Sequence, residues 1–332
     1  MSEIMDPTSV IAQSSCVRLS RNYADVPFVQ RMGDYDYETI IERTENALVG
    51  EDYTLKRMAA LSKNARGCLV EEQRISPELA AHDNGAVLLN EARTVSIMLG
   101  EEDHLCIQAL LPGLQLLEAM RLVGHAERTI ERTERFAFDE KWGYLTSRPA
   151  NAGTGLRVSV ALHLPGLCML TQLGLALRSV SQLGLTLRGL YGEGLDAPGH
   201  LYLLSNEATL GKTEEELLTL VSEAAGQIVE KERAARQALL ERDRVVLEDQ
   251  LMRSCGVFAN ARLMTMKEFM NRLSNARLAA DLGFIPVTQE KLTELMREVQ
   301  PATLERNAGR TLTQKENDIL RAEIIRKRLI KM

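Results

Sequence analysis

The stretch Ala86–Leu111, AVLLNEARTVSIMLGEEDHLCIQALL, decides how the chain is built. AVLLN (Ala86–Asn90) and TVSIML (Thr94–Leu99) are short apolar runs parted by three polar or small residues, which predicts a hairpin. LCIQALL (Leu105–Leu111) follows as a further strand. Working outward, a helix is expected over roughly 114–135, after Pro112-Gly113. LRVSVALHL, LTLRGLYG and HLYLLSN read as three more strands. Upstream, YETIIERTENAL and TLKRMAALSK are helical in composition, and residues 1–35, with Pro7, Pro27 and Gly33, read as irregular. Strands joined by short loops as well as by helices point to an α+β chain with an antiparallel or mixed sheet, not a regular βαβ array.

The text changes at Thr213. TEEE is a capping box, in which the Thr213 hydroxyl and the Glu216 carboxylate satisfy each other's backbone. Leu217, Val221, Ala224 and Ile228 then recur at helical spacing. No convincing strand follows, and breaks are expected near Gly256, Gly283 to Pro286, and Pro301 to Gly309. The boundary between the two regions falls within EKERAARQALLERDR, near residue 240, giving domains 1–240 and 241–332. A length of 332 residues accommodates two domains. The apolar fraction of 45% suffices for a packed core, and the net charge of −6 disfavours non-specific nucleic-acid binding. The longest apolar text, VALHLPGLCMLTQLGLAL, is interrupted by His163, Pro165 and Gln172 and is not a membrane span. The N-terminus lacks a signal-peptide layout. Cys16, Cys68, Cys106, Cys168 and Cys255 are scattered, with no CxxC, so free thiols in a reducing cytoplasm are expected.

Four segments are too polar or glycine-rich to be simple core: SSCVRLSRN (Ser14–Asn22), GEEDHLCIQ (Gly100–Gln108), FDEKWGYLTSRPANAGTGLRVSV (Phe138–Val160) and RGLYGEG (Arg188–Gly194). NAGTG lacks Walker spacing and is followed by an arginine on a strand, so P-loop chemistry is not supported. EED standing alone reads as a solvated turn before it reads as a site. Arg157 and Arg188 are different, because each puts a permanent cation beside probable core positions. Such a charge costs several kcal/mol to bury unless an anion meets it. Salt bridges to carboxylates are the plain alternative to a bound anionic ligand.

Taken together and in this order, the four segments resemble the phosphagen (guanidino) kinases, whose motifs run S-[ST]-R-[VI]-R, N-E-E-D-H-x-R, C-P-[ST]-N-x-G-T-[GT]-x-R and R-G-x-x-G-E. FDEKWGYLTS, YGEG and the later ARLMTMKEFMNRLSNARLAADLGFI resemble the bacterial protein arginine kinases of the McsB type. The resemblance runs from about Ser14 to Leu329. It implies a phosphagen-kinase-like domain with a largely antiparallel sheet flanked by helices, followed by an all-α C-terminal domain for dimerisation and regulation. It implies ATP-dependent phosphorylation of arginine side chains in proteins, with ATP and Mg2+ as cofactors and no protein-bound metal. The arginine must attack the γ-phosphorus although a guanidinium has no free lone pair, so carboxylates must orient it and draw off a proton. The resemblance assigns these roles to Glu102 and Glu193. It assigns ATP to Ser14, Ser15, Val17, Arg18, Arg157, Ser159, Val160, Arg188, Gly189, Tyr191, Gly192 and Glu193, since phosphoryl transfer depends mainly on positioning and charge neutralisation. A phosphoarginine-binding motif falls on Asp318, Arg321 and Ala322. Implied partners are proteins with exposed arginine, a Clp-type unfoldase that degrades marked proteins, a zinc-binding activator protein and a second copy of the chain, with no nucleic acid and no membrane. Only thirteen residues precede Ser14, where small-guanidine kinases carry a helical domain, which suits a protein-borne arginine.

The sequence departs from the family pattern at five positions. Cys16 and Cys106 stand for arginines, Gln73 for a histidine, Arg148 for the cysteine before Pro-[ST]-Asn, and Asn317 for the first arginine of RDxxRA. A cysteine supplies neither fixed positive charge nor a bidentate fork, so reduced activity is expected. The rival reading is a catalytically silent adaptor that keeps the fold, dimer and partners.

Overall fold

The computed structural model describes residues 10–191 and 197–329. Eight strands form one sheet in which every neighbouring pair is antiparallel. They are β1 (Ala12–Arg21), β2 (Tyr53–Arg57), β3 (Ala86–Asn90), β4 (Val95–Leu99), β5 (Leu105–Pro112), β8 (Leu156–His163), β9 (Leu185–Gly189) and β10 (Leu201–Asn206), in the order β2-β3-β4-β5-β1-β8-β10-β9. The short β6 (Phe138–Asp139) and β7 (Gly143–Tyr144) make a separate hairpin. The helices of this region are α1 (Asp34–Ala47), α2 (Lys63–Glu71), α3 (Pro77–Ala81), α4 (Leu116–Glu131), α5 (Pro165–Met169) and α6 (Leu173–Gln182).

Two sequence expectations fail here. Residues 12–21 are not irregular but form the central strand, between β5 and β8. Its side chains alternate: Ser15, Val17 and Leu19 are buried in the main core, whereas Ser14, Cys16, Arg18 and Ser20 face the other side. TLKR, expected to be helical, is the edge strand β2. Val17, Leu19, Ile107, Val158, Val160 and Leu204 share the core face of the sheet with Leu116, Ala119, Val123, Ala126 and Ile130, which recur along one stripe of α4. Removing such side chains from water contributes about 1.5–3 kcal/mol each.

From Glu214 onward the described residues are helical: α7 (Glu214–Asn260), α8 (Met266–Asp281), α9 (Gln289–Glu298), α10 (Pro301–Ala308) and α11 (Gln314–Leu329). The capping box at Thr213 is present, with Glu216 N–H donating to Thr213 Oγ1 at 3.2 Å and Thr213 N–H to Glu216 Oε2 at 2.7 Å. α7 is kinked at Asp243, an extended residue whose carboxylate accepts the Val246 N–H and so restarts the helix. The break expected near Gly256 comes after Asn260, and Pro301 opens a helix that Gly309 ends in the left-handed region. A second core, with Phe258, Phe269, Leu292, Leu295 and Ile325, lies mainly in this region and takes in Leu201 of β10. The two regions are joined by buried ions. Glu232 accepts the N–H groups of Gly166 and Leu167 and pairs with Arg236, whose guanidinium also reaches Asp281 and the His163 carbonyl. Among the described residues no helix is long and apolar enough to cross a membrane.

Candidate active site

Antiparallel register determines which side chains share a face, because directly opposed residues point the same way. Arg18 lies opposite Gln108 on one side and Arg157 on the other, and Cys16 lies opposite Ser159. Ser159 pairs with Ser205, Ser205 with Thr186, and Leu203 with Arg188. Arg18, Arg157 and Arg188 therefore stand on one polar face, opposite the hydrophobic core.

Each arginine is held without a carboxylate. Arg18 Nε donates to Gln108 Oε1 at 2.7 Å, and Gln108 Nε2 donates to the Gln73 carbonyl at 2.7 Å. Gln73 has φ +57°, a left-handed conformation costly for a side-chain-bearing residue, and it is the backbone of this residue that orients Gln108. Arg157 donates to the Asn206 carbonyl and the Asn151 side chain, both at 3.3 Å. Asn151 opens the NAGTG loop, whose close turn is why glycine stands at 155: with φ +63°, a Cβ there would meet the Ser20 carbonyl at 2.7 Å. Arg188 is exposed, with no ion pair among the described residues. Burial, then the positive charges of Arg188, Arg18 and Arg148, push the Arg157 guanidinium below its ordinary value. Four cations thus gather around one place, and a polyanion there would relieve their repulsion.

Glu102 and Arg148 form an ion pair through Arg148 Nε. Both are set in place by the buried Asp103, whose Oδ1 accepts the Asn22 side chain at 2.8 Å and the Ser147 N–H at 2.7 Å. His104 secures the same loop. Its Nδ1 accepts the Tyr23 N–H, its Nε2 faces the Pro27 carbonyl at 2.7 Å, and burial holds it below its ordinary value, a neutral Nε2–H imidazole. Asp103 and His104 are therefore structural parts of EEDH, and only Glu101 and Glu102 remain for the cleft. Glu101 lies close enough to support the Arg18 charge.

Several predicted residues fall elsewhere. The side chains of Val17 and Val160 are in the core, and the Ser15 hydroxyl binds the Gly113 carbonyl and Gln115 N–H behind the sheet, so these three side chains do not stand on the arginine face. Ser14 and Ser159 do lie on the arginine face. Gly189 is buried at the end of β9, and the Tyr191 hydroxyl bonds Gln73, near Arg277. Gly192 and Glu193 lie outside the described residues. Cys106 packs with Met58, Leu79 and Met98 under α2 and α3, and burial pushes its thiol well up. It lies opposite Ser20, four residues along β1 from Cys16. That is about 13 Å of strand, too far for a disulfide.

Asp318 and Arg321 are in the helical region. Arg321 is fully buried, bonding Asp318, the Met264 carbonyl and the Val299 carbonyl. Among the described residues one terminal nitrogen of Arg321 and the Asn317 side-chain oxygen are buried without a partner, whereas Ala322 is core. Sequence reading missed Arg21. It is buried against Glu127 at 2.6 Å and stacked 3.5 Å over the Tyr144 ring, and it anchors the Thr154 carbonyl of the NAGTG loop. Its alternation with Arg18 on β1 was the available signal. Among the described residues no group of three or more His, Cys, Asp or Glu is arranged to hold a metal.

Residues 36–235 match the family model of the ATP:guanido phosphotransferase C-terminal catalytic domain, and residues 244–332 match that of the protein-arginine kinase McsB C-terminal domain. The chain is 41% identical over 330 residues to the protein-arginine kinase of Bacillus velezensis, covering 97% of this chain and 91% of that one. It is 40% identical over 331 residues to that of Caldanaerobacter subterraneus, covering 97% of each. Among solved structures, a lombricine kinase superposes with a TM-score of 0.61 at 21% identity, covering 69% of this chain and 68% of the other, which is a likeness of fold.

Proposed function

The chain belongs to the protein-arginine kinases of the ATP:guanido phosphotransferase family, and on that premise we propose that it transfers the γ-phosphoryl group of ATP to arginine side chains of proteins at the arginine-bearing sheet face described above. The observation that carries the assignment of the cleft is the gathering of Arg18, Arg157 and Arg188 on one sheet face, none with a carboxylate partner among the described residues, beside Glu102. Mg2+ bound with the triphosphate would offset part of its charge. The three arginines neutralise the chain of phosphates and the charge on the transferring group. Glu102, with Glu193 as its counterpart, orients the acceptor guanidinium. One acceptor Nη forms a bond to the γ-phosphorus as the bond to the bridging oxygen breaks. ADP leaves with that electron pair, and the proton lost from nitrogen passes to a carboxylate.

Turnover is lower than the family pattern would give, because Cys16 and Cys106 bring no charge to the phosphates. A silent adaptor is the second reading, favoured by the same cysteines and by the occupation of Glu102 by Arg148. The division near residue 240, a homodimer through the helical region, retention of phosphoarginine binding at Asp318 and Arg321, cytoplasmic residence, and service to a Clp-type unfoldase and a zinc-binding activator belong to the same proposal. The test is incubation of the purified chain with ATP, Mg2+ and an unfolded arginine-rich protein, followed by detection of acid-labile phosphate on arginine. Transfer that is lost in Glu102→Gln supports the kinase. ATP binding without any transfer makes the adaptor reading the correct one.

A further inference from the structure

Arg148 pairs with Glu102, its nearest contact being through Nε, and its two terminal nitrogens donate no hydrogen bond among the described residues. The backbone that presents it is fixed on both sides. Ser147 N–H is held by Asp103, and the Arg148 carbonyl accepts the Thr146 hydroxyl at 2.8 Å. The guanidinium also lies within electrostatic range of Arg157, hence beside the phosphate-binding cations. A guanidinium whose Nε rests on the acceptor carboxylate, with terminal nitrogens free next to the phosphate cluster, has the arrangement required of a substrate arginine. We propose that Arg148 is a tethered occupant of the acceptor position, which an incoming protein arginine must displace from Glu102.

The proposal rests on the reading of Glu102 as the carboxylate that receives the acceptor. It sets this chain apart within its own chemistry, because a cysteine at this position has no guanidinium with which to compete. The Arg148 side chain is 70% exposed and that of Glu102 28%, so the pair is a solvated one. Such pairs are populated only a few-fold over their open state. Since apparent affinity falls with the fraction of competent sites, the expected penalty on acceptor binding is about three- to fivefold.

Calorimetric titration with a short unfolded peptide carrying one arginine, done without nucleotide, reads the acceptor position directly. Arg148→Ser is expected to bind the peptide about three- to fivefold more tightly than wild type, and the gain should vanish when Glu102→Gln is present in both proteins. With ATP and Mg2+ present, the same factor should appear as a lower KM for the peptide. Phosphate found on Arg148 itself would also place it at the acceptor position. Equal peptide affinity in wild type and Arg148→Ser overturns the proposal, as does a gain that persists without Glu102. A weakened affinity for ATP in Arg148→Ser overturns it too, by making Arg148 a member of the phosphate-binding cluster. If neither protein phosphorylates the peptide, the kinase reading fails, while the binding comparison still decides the part of Arg148.

Discussion

Arg157 carries a charge that burial and three neighbouring guanidinium groups all oppose, yet its hydrogen bonds among the described residues go to an amide oxygen and a carbonyl. Its replacement should therefore cost activity and not stability. Arg157→Gln is expected to lower kcat/KM for ATP by roughly 10²–10³-fold, the usual loss for one preorganised donor at a developing charge, with urea-unfolding stability equal to wild type or higher. A stability loss larger than the kinetic loss would mean that Arg157 is structural. Cys16 and Cys106, alike in the sequence as arginine positions gone to cysteine, differ in surroundings. Cys16 is half-buried on the cleft face, and Cys106 is enclosed by Met58, Leu79 and Met98. Cys16→Arg should raise kcat/KM for ATP about tenfold or more, whereas Cys106→Arg must first place a cation among apolar side chains at a cost of several kcal/mol. Thermal melts should show a lowered Tm for Cys106→Arg alone. The convergence of Arg18, Arg157 and Arg188 was legible from motif order. The hold of Arg148 on Glu102 was not, because it depends on Asp103 fastening the Ser147 backbone, a contact across 44 positions.

At the scale of elements, the docking of α10 on α2 shows how a cap can join two regions. Glu71, the last residue of α2, accepts the N–H groups of Ala302 and Thr303 and the Thr303 hydroxyl, filling the N-terminus of α10. Glu71→Ala should lower unfolding stability by about 1–2 kcal/mol. A readout in the cleft is also expected, because Glu71 lies two residues before Gln73, whose carbonyl orients Gln108 against Arg18. His163, at the end of β8, is completely buried. Burial first, then the charges of Arg236 and Arg277, hold it well below its ordinary value. The unfolded chain takes up a proton there below about pH 6.5 and the folded chain does not, so this contribution to stability is full above that pH and is lost as pH falls. Between pH 7.5 and 5.5 wild type should lose about 1.4 kcal/mol more than His163→Gln in urea titrations. His104 shifts the same way but is common to both proteins. The strands Ala86–Asn90 and Leu105–Pro112 were legible because they are short, nearly continuous apolar runs, with Gln108 the one polar residue inside the second. β1 was passed over because half its residues are polar on purpose: the period-2 pattern is present, but the hydrophobic half alone is too short to stand out. β2 was read as helix because an edge strand with mixed exposure lacks that signal as well.

For the whole molecule, the question is what covers the apolar residues left outside both cores. After the kink at Asp243, α7 exposes Val245, Val246 and Met252, at 76%, 61% and 39%. Val245 and Met252 are seven residues apart, so they lie on one side of the helix. Their neighbours Asp249 and Arg253 pair with each other at 2.8 Å, so these two charges offset one another beside the strip. Two copies of such a strip packed against each other would make an isologous contact, each strip serving as the other's partner. On the same stretch Leu247 and Leu251 are buried against Leu278 and Ala279, so the helix is anchored on one side and bare on the other. Wild type is therefore expected to be a dimer by light scattering at micromolar concentration, and Val245→Glu with Met252→Glu to be a monomer. Because both substituted side chains are solvent-exposed in the single chain, the variant should keep its fold by circular dichroism and its ATP affinity. A dimer that survives both substitutions would move the interface elsewhere on the helical region, and a monomeric wild type would leave the strip solvated and remove the dimer from the proposal.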